Sequence, residues 1–285
     1  FSVEFAKNGN DGNKLLKGGE FQVTSKTKQI VDKWTSGEHV FDVTEDMKVK
    51  LMAGETVSDM YVDIEDDSST YYRISKNEGR DDYRLLMQAN GVTEYFNIDI
   101  NGDETTHMIR GTAEDQEYVI TELKSPDGYA TAKPVTFKTD EDKNLTVEMI
   151  DEITRVEVSK QDITTNKELP GASLVVKDKD GNVIDEWVST TEPHIIKNLT
   201  VGETYTLEET IAPDGYKIAQ SIDFKIKDTG EVQNVVMYDE LLPSSGGVNT
   251  SDDTSTGAMA ALVSVSALGM VSYGMYEFFR KRYNQ

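Results

Sequence analysis

The chain repeats itself. Residues 7–34, "KNGNDGNKLLKGGEFQVTSKTKQIVDKW", lie on residues 160–187, "KQDITTNKELPGASLVVKDKDGNVIDEW", without a gap, so that Leu16 meets Leu169, Gly18 meets Gly171 and Trp34 meets Trp187. From His107 and His194 a second block aligns, placing Tyr118 on Tyr205, Glu122 on Glu209, Tyr129 on Tyr216 and Phe137 on Phe224. With one further gap, "VEMIDE" ending at Glu152 meets "VVMYDE" ending at Glu240. The first block is spaced by 153 residues and the second by 87, so the first copy holds a 66-residue insertion between Trp34 and His107. Self-similarity of this kind means two copies of one structural unit, and 285 residues suffice for two ordinary cores. The expected domains are 1–152, with the insertion at about 36–106, and 153–241.

The shared unit reads as all-β. Short alternating segments such as "VEVSK", "ASLVVKD", "YTLEET" and "VQNVVMYD" are separated by turn chemistry, including "DKDGN", "APDGY" and "KDTGE". No stretch before the tail sustains a helical period, and the regular strand spacing predicts two tandem antiparallel sandwiches. The insertion, with "MYVDIED", "STYYRIS", "YRLLMQA" and "EYFNIDI", predicts added strands or a small β subdomain.

The C-terminal end has a different composition. Residues 242–257 are mostly Pro, Gly, Ser, Thr and Asp, a flexible linker. Residues 258–279 carry one charge, Glu277, and are followed by Arg280, Lys281 and Arg282. That length and flank predict a transmembrane helix with 280–285 as a cytoplasmic basic tail and 1–257 outside the cell. No signal-peptide pattern follows Phe1, so the sequence reads as the C-terminal part of a longer or processed chain. With 52 acidic against 29 basic residues, nucleic acid is excluded as a partner over most of the surface. Cysteine is absent, so covalent reinforcement has to come from other chemistry.

The repeated phrase supplies such chemistry. Each copy has a Lys near the end of its first strand (Lys7, Lys160), a Glu in a central strand (Glu122, Glu209) and an Asp at the end of its last strand (Asp151, Asp239). All six stand in apolar alternation, where side chains of this type are ordinarily exposed. If they point inward, burial disfavours every charge. A neutral amine beside a neutral carboxyl can attack it, while the Glu moves the proton and polarises the carbonyl. The product is a Lys–Asp isopeptide bond and one water.

These residues resemble a known family. Lys160 followed by "ELPGA", the "YTLEETIAPDGY" phrase and the closing "VVMYDE" look like the collagen-adhesin B-type, or SpaA-like, prealbumin-like domains of Gram-positive surface proteins and pilins. The resemblance is strong over about 155–240 and weaker over 1–152, where "LLKGG" replaces "ELPGA". It implies transthyretin-like (Ig-like) sandwiches with an autocatalytic bond between first and last strands, Lys7 to Asp151 and Lys160 to Asp239, promoted by Glu122 and Glu209. Family members most often present Asn as acceptor, where this chain has Asp twice.

The tail resembles a sortase sorting signal. Two candidate pentapeptides precede the span, Leu242-Pro243-Ser244-Ser245-Gly246 and Val248-Asn249-Thr250-Ser251-Asp252. The implied partners are sortase and peptidoglycan or other pilin subunits, the membrane through 258–279, and a host extracellular ligand for any adhesive region.

Remaining features read as structural. "DKDGN" at 178–182 and "DINGDE" at 99–104 suit hairpin turns better than calcium loops, since their Gly comes too early. His107 and His194 are expected at turns or edges, and Trp34 and Trp187 in core or strand-edge packing. No metal or cofactor motif and no hydrolytic triad spacing is present. The sequence therefore predicts a non-enzymatic, cell-surface stalk or pilin-like protein. Two rivals are an adhesin whose ligand site lies in the insertion, and the anchoring stalk of a secreted enzyme located upstream.

Overall fold

The computed structural model describes residues 2–62, 69–140 and 143–243. The expected linker beyond 243, the expected span 258–279 and the expected cytoplasmic tail lie outside the described residues. Among the described residues, no helix is long and apolar enough to cross a membrane.

The first copy runs β1 (Val3–Gly9), β2 (Glu20–Ser25), β3 (Ile30–Thr35), α1 (Glu45–Met52), β4 (Val57–Val62), β5 (Ser69–Lys76), β6 (Tyr83–Ala89), β7 (Val92–Ile98), β8 (Glu104–Ile109), β9 (Glu117–Lys124), β10 (Tyr129–Ala130), β11 (Val135–Lys138) and β12 (Leu145–Ile153). Its strands form an eight-stranded sheet, β10-β12-β1-β8-β7-β6-β5-β4, and a four-stranded sheet, β11-β9-β2-β3. Period-two alternation turns Val3 and Phe5 of β1, Phe21 and Val23 of β2, Ile120 of β9 and Met149 of β12 into one core. Each such side chain, fully buried, contributes about 1.5–3 kcal/mol.

The second copy comprises β13 (Arg155–Asp162), β14 (Ser173–Lys177), β15 (Val183–Val188), β16 (His194–Lys197), β17 (Thr204–Ile211), β18 (Ile222–Lys225) and β19 (Val232–Asp239). A three-stranded sheet, β16-β13-β19, faces a four-stranded one, β15-β14-β17-β18. Val156, Val158, Leu174, Leu207 and Met237 meet between them.

In both copies the first and last strands are adjacent and parallel. Lys7 lies opposite Met149 and Gly9 opposite Asp151; Lys160 lies opposite Met237 and Asp162 opposite Asp239. Lys and Asp thus sit on one face, two positions out of register.

The insertion extends the first sheet and builds a further core of its own, in which Ile74, Leu85 and Ile98 are fully buried. It also corrects the all-β expectation, because α1 packs its Leu51 into that core. Thr44 caps this helix, its hydroxyl accepting from Met47 N, and Glu45 and Asp46 occupy the first turn where the helix dipole favours acids. With eight residues and one buried apolar side chain, α1 is too short to display a sustained helical period. The protein is therefore mostly β, in several sheets, with this one short helix among the described residues.

Candidate functional site

The alternation that fills each core ends in charge. In β1 the inward row is Val3, Phe5, Lys7; in β9 it is Tyr118, Ile120, Glu122; in β12 it is Val147, Met149, Asp151. The second copy repeats the pattern with Val156, Val158, Lys160, then Tyr205, Leu207, Glu209, then Met237 and Asp239. The strands that position hydrophobic side chains thereby deliver an amine and two carboxyls to one end of the same interior.

The six predicted residues come together as two triads. Lys7 Nζ contacts the Asp151 carboxyl directly and stands 3.0 Å from Glu122 Oε1. Lys160 Nζ contacts Asp239 and stands 3.2 Å from Glu209 Oε1. None is more than 7% exposed. The lower wall differs between the copies: Phe21 presents its ring 5.3 Å from Lys7 Nζ, whereas Leu174 occupies the corresponding place in the second.

Each glutamate is oriented by backbone. Glu122 Oε2 accepts from Ala132 N at 2.7 Å, and Glu209 Oε2 accepts from Ala219 N at 2.6 Å. The donor in each case follows the Pro-Asp-Gly-Tyr loop. The loop makes the chain turn back, with Gly128 and Gly215 both at φ +86°, so that a backbone N–H ten residues on reaches the carboxyl. The recurrence of Glu with this loop in the sequence reflects that clamp.

Burial governs the ionisation. It pushes the Glu122 carboxyl up to about 7, against the opposing pull of the Ala132 N–H and Lys7. It raises Asp151 and pushes Asp239 up to about 6, Lys160 again opposing. Among the described residues no donor reaches Asp151 Oδ2 or Asp239 Oδ2, which are buried, and the Glu122 and Glu209 carboxyls face these two acids. A carboxylate there is costly to keep, whereas condensation with the amine removes one carboxyl oxygen as water.

Other predicted residues are placed differently. His107 does not lie at a turn or edge: it sits inside β8, buried, because the insertion's β7 pairs outside β8 and covers it. Its ring stacks on Trp34 at 4.3 Å, with Nδ1 facing Glu104 and Nε2 facing Asp32 at 3.1 Å each. Sequence reasoning missed Asp32 and Glu104, and only the stacked His–Trp pair recurring as His194 on Trp187 at 4.2 Å could have pointed there. His194 opens the edge strand β16 and faces Asp185 at 2.8 Å. Asp178 spends its carboxylate on the N–H groups of Asp180 and Asn182, as a hairpin turn does. Of the sorting candidates, Leu242 and Pro243 are described, with Leu242 half exposed and its N–H bonded to Gly215 O at 2.8 Å. Residues 244–246 and 248–252 lie outside the described residues.

No curated protein matches the chain. Among solved structures, it is similar to the Bacillus anthracis TIE protein at 18% identity, covering 85% of this chain and 34% of that one with a TM-score of 0.37. The shaft pilin SpaA of Lactobacillus rhamnosus GG matches at 14% identity over 85% of this chain and 98% of its own, TM-score 0.28. The pilus adhesin SpaC of Lactobacillus rhamnosus GG, in its open conformation, matches at 17% identity over 85% and 32%, TM-score 0.32. The chain thus spans about a third of the length of the TIE structure. The second sandwich gives the more specific match: residues 154–241 match the family model of the SpaA prealbumin-like fold domain.

Proposed function

We propose that the chain is a self-crosslinked, pilin-like stalk of the cell surface, in which each sandwich closes a Lys–Asp isopeptide bond. The observation that carries this reading is the pair of buried Lys–Glu–Asp triads between parallel first and last strands. The lysine nitrogen, as the free amine, attacks the Asp carbonyl carbon. Glutamate takes a proton from the attacking nitrogen and returns it to the departing hydroxyl, so a C–N bond replaces a C–O bond and water leaves. The turnover is intramolecular and happens once per domain, so the protein is not an enzyme in the ordinary sense. Sortase acting on 242–246 or 248–252, and the span 258–279 with its basic end, would attach this stalk to cell wall or membrane with 1–257 outside.

The mechanical consequence supplies the test. A bond at Lys160 joins the first strand of the second sandwich to its last, so tension entering at Arg155 leaves at Asp239 without passing through β14 to β18. Single-molecule stretching of residues 1–242 should show no unfolding step from the second sandwich, and Lys160→Ala should introduce one. Full unfolding of the unsubstituted sandwich at ordinary forces would contradict the stalk reading.

The insertion favours a second, compatible reading as adhesive head. It has its own core, and the outward row of its sheet exposes Met60 and Tyr95, with Arg84 lying 5.8 Å over the Tyr95 ring.

A further inference from the structure

The Pro126-Asp127-Gly128-Tyr129 loop is held from two sides. Inward, the segment leaving it supplies the Ala132 N–H that fixes Glu122. Outward, it meets the second sandwich. Gly128 O accepts from Thr154 N at 3.1 Å, from the Thr154 hydroxyl at 3.3 Å and from Asn198 Nδ2 at 3.4 Å. Thr131, immediately before Ala132, donates its N–H to Asp228 Oδ1 at 2.7 Å.

Asp228 belongs to the loop between β18 and β19, which is itself braced. Arg155 donates to Gly230 O at 2.9 Å, and Lys227 N donates to Gln233 Oε1 at 2.8 Å. The same loop presses on the other arm of the first triad. A Cβ on Gly230 would fall 1.7 Å from Glu152 Oε2, and Glu152 is the neighbour of Asp151. Since Ala130 pairs with Glu152 across β10 and β12, residues 228–230 buttress the strand pair from which both Asp151 and the Glu122 clamp extend. Burial is the main reason Asp151 is raised, and the Asp228 carboxylate adds to it.

Among the described residues, the second triad has the clamp without this buttress. Ala219 N holds Glu209 and Gly215 O accepts from Leu242 N, just as Gly128 O accepts from Thr154 N. Ile218, however, standing where Thr131 stands in the first copy, is exposed.

We propose that the second sandwich is a positioning element for the first crosslink: Asp228, by holding Thr131, keeps the Ala132 N–H aimed at Glu122, so that the Lys7–Asp151 bond matures faster when the two sandwiches are docked. The Lys160–Asp239 bond closes independently. This inference rests on the isopeptide reading and adds an order of events to it: the membrane-proximal domain locks first and speeds the one beyond it. Asp228 touches no reacting atom: it acts through the Thr131 backbone, and its carboxylate adds to the burial that raises Asp151.

The test uses residues 1–242, which form one compact unit. Asp228→Ala and Asp228→Asn are compared with the unsubstituted chain in samples withdrawn at intervals after cell-free synthesis, and each bond is followed by intact mass and peptide mapping. Asp228→Ala should slow the Lys7–Asp151 bond roughly tenfold, less than the roughly hundredfold that a 1 Å misplacement can cost. The Lys160–Asp239 bond should keep its rate and so report that folding is intact. Asp228→Asn retains an acceptor oxygen for Thr131 N–H and should restore the first bond. Equal rates for the first bond in Asp228→Ala and the unsubstituted chain would overturn the inference, as would equal slowing of both bonds. Absence of both bonds from the unsubstituted chain is a separate result that would overturn the isopeptide reading itself.

Discussion

Lys160 and Asp239 lie two positions out of register on adjacent parallel strands, both 1% exposed, with the amine against the carboxyl and a sequence separation of 79. Closing a loop of that length removes unfolded-state entropy worth about 4–5 kcal/mol by the argument applied to disulfides. Lys160→Ala should therefore lower the Tm of the second sandwich by on the order of 20–30 °C, at a few degrees per kcal/mol for a domain of this size. Differential scanning calorimetry of residues 1–242 checks this, and a shift of only a few degrees would mean that no crosslink had been lost.

A pH dependence distinguishes joined from unjoined chains. Glu209→Ala leaves Lys160 and Asp239 unjoined, and burial still raises the Asp239 carboxyl, which in the intact triad reaches about 6. A raised carboxyl keeps its proton in the folded state at pH values where the unfolded chain has released it. Its contribution is thus fully present below the ordinary value of 3.8 and is lost as pH rises toward about 6. Urea midpoints of Glu209→Ala should fall across that window. In the crosslinked chain Asp239 is an amide and the decline should be absent.

The two Pro-Asp-Gly-Tyr glycines separate turn strain from docking. Gly128 and Gly215 share φ +86°, so Ala at either position is strained by about 1–2 kcal/mol. A Cβ at Gly215 would meet open space, whereas at Gly128 it would lie 2.9 Å from the Asn198 side chain. Gly128→Ala should destabilise the protein more than Gly215→Ala. Equal losses by chemical denaturation would mean that the junction yields freely.

The insertion is expected to open on its own. Leu85 is fully buried in a core separate from both sandwich cores, and Leu85→Ala should cost about 2–5 kcal/mol there. Hydrogen exchange should accelerate over β5 to β7 while the Lys160–Asp239 bond forms as before.

Much of this was legible because repetition substitutes for an alignment. Lys7, Glu122 and Asp151 stand out through their counterparts in the second copy, and alternation sets each in a row with apolar residues; that these rows face inward is shown by the burial of β1, β9 and β12. What the sequence withheld depends on residues distant in the chain. The Ala132 and Ala219 donors are backbone groups with no side-chain signature, and Asp228 meets Thr131 across a sequence separation of 97, where no local pattern marks either. Helix α1 was missed because its stability derives from a Thr44 cap and one Leu51 contact, below what periodicity detects. His107 was expected at an edge since its copy, His194, opens an edge strand; the insertion turned that edge into the interior of a longer sheet.

The central claim is that two amides form inside this protein, and intact mass tests it most directly. Residues 1–242 should weigh less than their sequence by one water per sandwich, two in all, and peptide mapping should recover Lys7 joined to Asp151 and Lys160 joined to Asp239. Glu209→Ala should regain one of those waters and Glu122→Ala the other. A chain whose mass equals that of its sequence would contradict the account.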